Sequence, residues 1–333
     1  MSRALSFAIF AGTALLITAS VHYYIWARLV RDVGLPPLPY RLLTGLVIVL
    51  FVSVPLTMWL GRSSSIDSWR PLVLGLWAWT GFMFLLLVLL GATDLGRLVT
   101  ELVARLGPER PPTDPERRLT LSRILGGGVA LVAGGMGAVA VRSGLSELVT
   151  REVKVALDRL PRALSGTTIV QITDLHVGPT IRKEFVEEVV ARVNALEPDV
   201  IAITGDLVDG SVAELGDHVA PLGRLRAKHG VYFVTGNHEY YSGVEDWCRE
   251  LTRLGIRVLR NERVSIGDGE ASFDLAGVDD FSSARFGKEP DVERALGNRD
   301  ESRELVLLAH QPRHILEAGR YGVGLQLSGL THG

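Results

Sequence analysis

Hydrophobic positions along this chain follow two regimes. In the first, they come in long uncharged runs at residues 4–27, 42–61, 71–93 and 124–141. A helix rises about 1.5 Å per residue, so about 20 apolar residues cover a hydrocarbon core of ~30 Å. The first three runs meet that length, and three in succession argue against ordinary buried helices. The fourth, ILGGGVALVAGGMGAVAV, is shorter and rich in glycine, which suits close packing on a neighbouring helix. Residues 1–145 are therefore expected to form an α-helical membrane domain with about four transmembrane helices.

In the second regime, from Val153 onward, the runs shorten. TTIVQITD (167–174), DVIAITGD (199–206) and GVYFVTGNHE (230–239) are apolar, β-branched stretches that end in polar turns and predict strands. Residues 272–278, 304–310 and 324–328 predict three more. Over 184–196, Phe185, Val186, Val189, Val190 and Val193 share one helical face. Strands alternating with helices predict an α/β layered domain over residues 150–333.

Composition sharpens this picture in three places. The chain of 333 residues is 47% hydrophobic, yet its 35 basic and 37 acidic side chains nearly cancel. That balance gives no electrostatic pull toward a nucleic-acid polymer. A single cysteine, Cys248, excludes an internal disulfide and reads as a small buried hydrophobe on a helix. Arginines are unevenly shared among the short loops. Arg28, Arg31 and Arg41 lie in the first loop, and Arg97, Arg105, Arg110, Arg117, Arg118 and Arg123 in the third. The tail has Arg3, and the second loop Arg62 and Arg70. The positive-inside rule puts loops one and three in the cytoplasm, so four spans leave the α/β domain outside it. A fourth run that failed to span would leave that domain inside. Tyr23, Tyr24 and Trp26 read as an interfacial aromatic belt, with His22 among them.

Candidate chemistry gathers at predicted strand ends. Asp174 and His176, Asp206, Asn237 and His238, and His310 each sit at or just past an apolar run. Parallel strands bring such positions to one sheet edge, where open α/β folds bind ligands. Singly, each is explained by a turn, a helix cap or a hydrogen-bonded histidine, and His218, His229 and His314 keep that reading. Asp279 and Asp280 read as a turn or as pocket lining. Taken together, carboxylate, imidazole and amide donors without a thiolate suit Mn²⁺, Fe or Zn²⁺. Two donor clusters sharing one carboxylate suggest two ions about 3.5–4 Å apart.

The motifs DLH, GDLVDG, GNHE, LAHQP and SGLTHG, in this order over 164–333, resemble the calcineurin-like metallophosphoesterases, most closely their membrane-anchored bacterial branch. The resemblance implies a four-layer αββα sandwich and a centre of two divalent metal ions. It implies that Asp174, His176, Asp206 and His332 hold the first ion, and Asp206, Asn237 and His310 the second. His238 would protonate the leaving oxygen, oriented by Asp209, while the ions generate hydroxide to attack phosphorus. No other cofactor is expected. One position departs from the pattern: Leu330 stands where the family places a histidine ligand of the second ion, so that ion is expected to bind weakly. The chain also ends at Gly333, directly after this motif, so the domain is expected to be cut short there. The expected function is a membrane-anchored metal-dependent phosphoesterase, foremost a phosphodiesterase, acting on an envelope, lipid-linked or nucleotide-type ester. Its predicted setting is the cell (inner) membrane, crossed several times, with the lipid bilayer and a phosphate ester as partners. Leu330 motivates the alternative of a degenerate domain that binds one metal as a sensor or scaffold.

Overall fold

The computed structural model describes residues 3–60, 66–106, 114–144, 148–268 and 271–332. Arg62, Arg110 and Gly333, named above, lie outside these described residues. The chain divides into two compact units, Met1–Glu147 and Leu148–Gly333.

The first unit consists of α1 (Arg3–Trp26), α2 (Pro37–Leu60), α3 (Ile66–Arg105) and α4 (Pro115–Gly144), with a π-helical turn at Ala27–Arg31 after α1. All four are long and apolar enough to cross a membrane. Two of the α4 glycines lie against a neighbour as the fourth run suggested, while Gly127, Gly128, Gly134 and Gly135 face open space. A methyl group on Gly126 or Gly137 would stand 3.3 Å from Val33 or Phe82. Two side chains assigned to an aromatic belt instead face the bundle. His22 is 3% exposed, its ring 5.6 Å from that of Phe51, and its Nε2 accepts from Trp79 Nε1 at 3.3 Å. Tyr24 donates its hydroxyl to Asp94 at 2.6 Å, and Arg28 Nε donates to the same carboxylate at 2.9 Å. A carboxylate this close to an apolar run is costly alone, and pairing offsets the cost. Tyr23 stays 60% exposed, as a belt residue should.

The second unit is a four-layer sandwich. Its first sheet is parallel, with β1 (Ile169–Ile172), β2 (Val200–Ile203), β3 (Val231–Phe233) and β4 (Arg257–Val258) in that order. The second sheet orders β5 (Glu262–Asp268), β6 (Ala271–Gly277), β7 (Leu305–Leu308) and β8 (Leu325–Leu327). Strands β5 and β6 are antiparallel, whereas β6, β7 and β8 run parallel. The helices are α5 (Lys183–Asn194), α6 (Val212–Val219), α7 (Asn237–Ser242), α8 (Val244–Arg253), α9 (Val292–Leu296) and α10 (Ile315–Ala318).

Side-chain alternation explains the layering. Ile201 and Ile203 of β2 point to a core shared with α5, α6 and α8, while Val200 and Ala202 point to the core between the sheets. Likewise Val306 and Leu308 of β7 enter the core between the sheets, while Leu305 and Leu307 meet α9 and α10. Strands buried on both faces need unbroken apolar runs, and both strands read that way in the sequence. The short β4 and the β5 arm of the hairpin were not anticipated. In β5 only Val264 and Ile266 are buried, alternating with polar residues, which was the available signal.

Candidate metal centre

The loops that leave β1, β2, β3, β7 and β8 all emerge on one edge of the sandwich. Asp174 and His176 follow β1, Asp206 follows β2, Asn237 and His238 open α7 after β3, His310 follows β7, and His332 follows β8. The structure brings the carboxylates and imidazoles among them together in overlapping groups. Asp174, His176 and His332 form one, His176, Asp206 and His238 a second, and Asp174, Asp206 and His310 a third. Within each group the donor atoms lie within 4.8 Å of one another. His218, His229 and His314 belong to none of these groups.

The backbone is bent to achieve this. Asp174, His176, Asp206, Leu330 and His332 all have positive φ, between 46° and 72°. Asp and His tolerate this left-handed region better than most residues, but a leucine there is unusual and strained. Two close approaches complete the cradle. A Cβ on Gly236 would collide with the backbone and carboxylate of Asp206, and one on Gly329 with Thr173 Oγ1 and Asp174.

Hydrogen bonds fix the donors. Asp174 Oδ2 accepts from Thr173 Oγ1 at 2.7 Å, and its Oδ1 accepts from the Leu330 backbone N–H at 3.1 Å. Leu330 therefore contributes its main chain, and its side chain is 41% exposed. Asp206, 3% exposed, accepts from the His238 backbone N–H at 2.9 Å. Asp209 Oδ1 lies 2.5 Å from His238 Nδ1, the contact expected of it, and also 3.0 Å from His176 Nδ1. One carboxylate thus orients two imidazoles and leaves both Nε2 atoms facing the cluster. That second contact was not read from the sequence. The His332 ring stacks on His176 at 5.2 Å, with its Nε2 3.7 Å from Asp174 Oδ1.

Charges follow from these contacts. Hydrogen bonding to Asp209 raises the His176 imidazole above its ordinary range. Burial opposes ionisation of Asp206 and Asp209, but the surrounding imidazoles outweigh it and hold both carboxyls low. Burial would lower His310, yet the Asp206 carboxylate pushes it up to about 9. Its Nε2 is buried without a hydrogen-bond partner among the described residues, although Asp206 Oδ2 is only 3.2 Å away. Two ligand-type atoms set this close in a buried site fit a divalent cation, as does a set of carboxylates and imidazoles without thiolate.

A residue the sequence reading passed over, Glu239, holds two of these loops together. Fully buried, it accepts from the backbone N–H groups of Gly236 at 2.6 Å, Asp206 at 3.0 Å and Leu207 at 2.7 Å. Burial pushes its carboxyl up to about 7 despite these donors. Asp279 is more than a turn residue. At 3% exposure it accepts from Arg260 at 2.9 Å and Thr235 at 3.2 Å, bracing the β3 loop against the second sheet.

The sequence pattern of the calcineurin-like phosphoesterases matches residues 167–332. An uncharacterized metallophosphoesterase of Helicobacter pylori is 40% identical over 191 residues, covering 57% of this chain and 50% of its own. One from Aquifex aeolicus is 37% identical over 181 residues, covering 54% and 67%. A transmembrane protein with metallophosphoesterase domain from Danio rerio is 38% identical over 190 residues, covering 54% and 44%. The chain thus spans about half the length of the Helicobacter and Danio relatives it matches. With the matched region coinciding with the sandwich and its clustered donors, the chain belongs to the calcineurin-like metallophosphoesterases.

Proposed function

We propose that this chain is a membrane-anchored phosphoesterase that cleaves phosphodiesters with two divalent cations, Mn²⁺, Fe or Zn²⁺. The observation that carries this reading is the convergence of Asp174, His176, Asp206, His310 and His332 from four strand ends, with Asp174, His176 and Asp206 each shared by two donor groups. Asp174, His176, Asp206 and His332 would hold the first ion, and Asp206, Asn237 and His310 the second. Bound there, the cations would supply Lewis-acid activation of water and neutralise charge on the phosphoryl group. The remaining work falls to the chain itself. Asp206 would be the anionic donor common to both positions, a role an amide does not fill. Asp209 engages His238 through Nδ1, so Nε2 of that imidazole, 37% exposed, is presented to the ester and can protonate the leaving oxygen. Leu330 leaves the second position one imidazole short, so the first position binds more tightly.

The four apolar helices and the transmembrane relative support anchoring in a membrane. The arginine distribution supports a domain outside the cytoplasm, which makes envelope, lipid-linked or nucleotide-type esters the candidate substrates. Leu330 favours a second reading, a sensor or scaffold that binds one metal. An imidazole already oriented by a carboxylate argues for turnover instead.

The test is hydrolysis of a bis-aryl phosphodiester by the full chain in detergent, with and without Mn²⁺, beside Asp206→Asn and His238→Ala. The expected result is Mn²⁺-dependent turnover, reduced about 10²–10⁴-fold in His238→Ala and lost with the bound metal in Asp206→Asn. Equal rates in all three proteins overturn the enzyme reading.

A further inference from the structure

Among the described residues of the second unit, every buried carboxylate but one is matched by a cation or by several donors. Asp274 meets Arg303 at 2.9 Å, Asp279 meets Arg260 at 2.9 Å, and Glu304 meets Arg159 at 3.0 Å. Asp206 lies among imidazoles, and Glu239 accepts three backbone N–H groups. Asp280 is the exception. It is fully buried, and its Oδ1 accepts from the Ser282 backbone N–H at 2.7 Å, capping the 3₁₀ turn Phe281–Phe286. Its Oδ2 is buried without a hydrogen-bond partner, and no basic side chain pairs with it among the described residues. A buried charge is costly unless a counter-charge or several donors offset it.

The fold ties this carboxylate to the elements of the second cation position. Strands β6 and β7 are parallel, with Gly277 opposite Leu308, so Asp280 and His310 leave neighbouring strands at the same edge. The Asp280 backbone N–H donates to Thr235 Oγ1 at 3.2 Å, and Thr235 precedes Asn237 by two residues. Asp280 is thus tethered to the loop of one residue assigned to that cation and follows the strand beside the other. Its charge also reaches the site. Burial lowers the His310 imidazole, but Asp206, the Thr204 carbonyl and Asp280 together raise it to about 9. Asp280 belongs to none of the three donor groups, so it acts through its charge and not as a direct ligand.

We infer that Asp280 is a positioning residue, an outer anionic partner that holds the second cation beside Asn237 and His310. It supplies negative charge to a position that Leu330 leaves one imidazole short, and the cost of burying its carboxylate is offset by the bound ion. The inference rests on the two-cation reading of the centre.

The experiment titrates Mn²⁺ by calorimetry into the chelated full chain in detergent, as the parent, Asp280→Asn, Asp280→Ser and Glu289→Gln. Asn and Ser both cap a turn well and carry no charge, so the turn stays capped. Glu289→Gln removes an exposed carboxylate from the same connection. Both Asp280 variants should weaken the second equivalent by about 10–100-fold, the usual scale for residues that support a metal from outside its ligands, and leave the first unchanged. Glu289→Gln should alter neither. Thermal unfolding separates this role from packing. The rise in Tm that Mn²⁺ gives should shrink in both Asp280 variants, whereas a purely structural residue would lower Tm equally with and without metal. A second equivalent as tight in both Asp280 variants as in the parent, an equal loss of both equivalents, or the same loss in Glu289→Gln overturns the inference and leaves two cations in place. A parent that takes up a single equivalent overturns the two-cation reading, and this inference with it. None of these readouts needs turnover.

Discussion

Replacing Glu239 tests how the centre is held together. Its carboxylate accepts three backbone N–H groups, two on Oε2 from Gly236 and Asp206 and one on Oε1 from Leu207. A hydrogen bond to a charged group contributes about 1.5–3 kcal/mol, and a buried donor left unpaired costs about 1–3 kcal/mol. Glu239→Ala strands all three donors. Water entering the space recovers part of the loss, so about 4–6 kcal/mol is expected, a large share of the roughly 5–15 kcal/mol that stabilises a domain. Glu239→Gln can keep its carbonyl oxygen in the Oε2 position and set its amide against the Leu207 N–H, for a loss of about 2–3 kcal/mol. For a domain of this size these losses lower Tm by about 10–20 °C and 5–10 °C. The assay is thermal unfolding of the full chain in nanodiscs at pH 8, above the value of about 7 to which burial pushes this carboxyl, so that it is ionised. Mn²⁺ affinity is measured in parallel, because Asp206 is one of the tethered residues. If both variants unfold within about 1 °C of the parent, the clamp does not hold the loops and the reasoning fails.

Further predictions follow from other residues. Leu330→His should raise the affinity for a second Mn²⁺ equivalent without changing the first; calorimetric titration of chelated protein checks this, and two unchanged equivalents would refute it. His314 is kept neutral by burial, its imidazole lowered to about 4 from an ordinary 6.5. The unfolded chain therefore binds the extra proton between those values, so stability falls as pH drops from 6.5 toward 4, by about 3 kcal/mol in all. In chelated protein, His314→Gln should flatten that part of the stability–pH curve, and an unaltered slope would contradict the burial argument. Cys248 makes a poor topology probe, since burial pushes its thiol up to about 11. In Cys248→Ala, a cysteine replacing the exposed Glu152 should react with an impermeant thiol reagent in intact cells, and labelling only after lysis would place the domain inside.

What the sequence disclosed, and what it concealed, has a physical basis. Ile201, Ile203, Val306 and Leu308 belong to strands buried on both faces, and such strands need continuous apolar runs that stand out in any reading. That Asp206 and His310 meet at one edge was legible because each follows such a run, and Asp174 follows the apolar run of β1, in which Gln171 alone is exposed. The β5 strand was not, because two buried positions among polar ones make a weak period. The second contact of Asp209 joins residues 33 apart across two loops, and His176 there has a positive φ, which no local pattern encodes. Arg260 and Asp279 lie 19 residues apart and meet only because β5 and β6 form a hairpin. In the first unit, apolar runs revealed the helices but not which face each buries. His22 and Tyr24 turned inward toward Trp79 and Asp94, partners on α3 that only the packed bundle supplies.

The central claim is that the donors around Asp206 bind divalent metal and that this metal drives ester cleavage. The most direct measurement takes one chelated sample of the full chain, reloads it stepwise with Mn²⁺, and records bound metal and bis-aryl phosphodiester hydrolysis together. The account predicts no turnover without metal, a rate that rises with the second, weaker equivalent, and loss of both binding and rate in Asp206→Asn. Full activity in the chelated protein, or in Asp206→Asn, would contradict it.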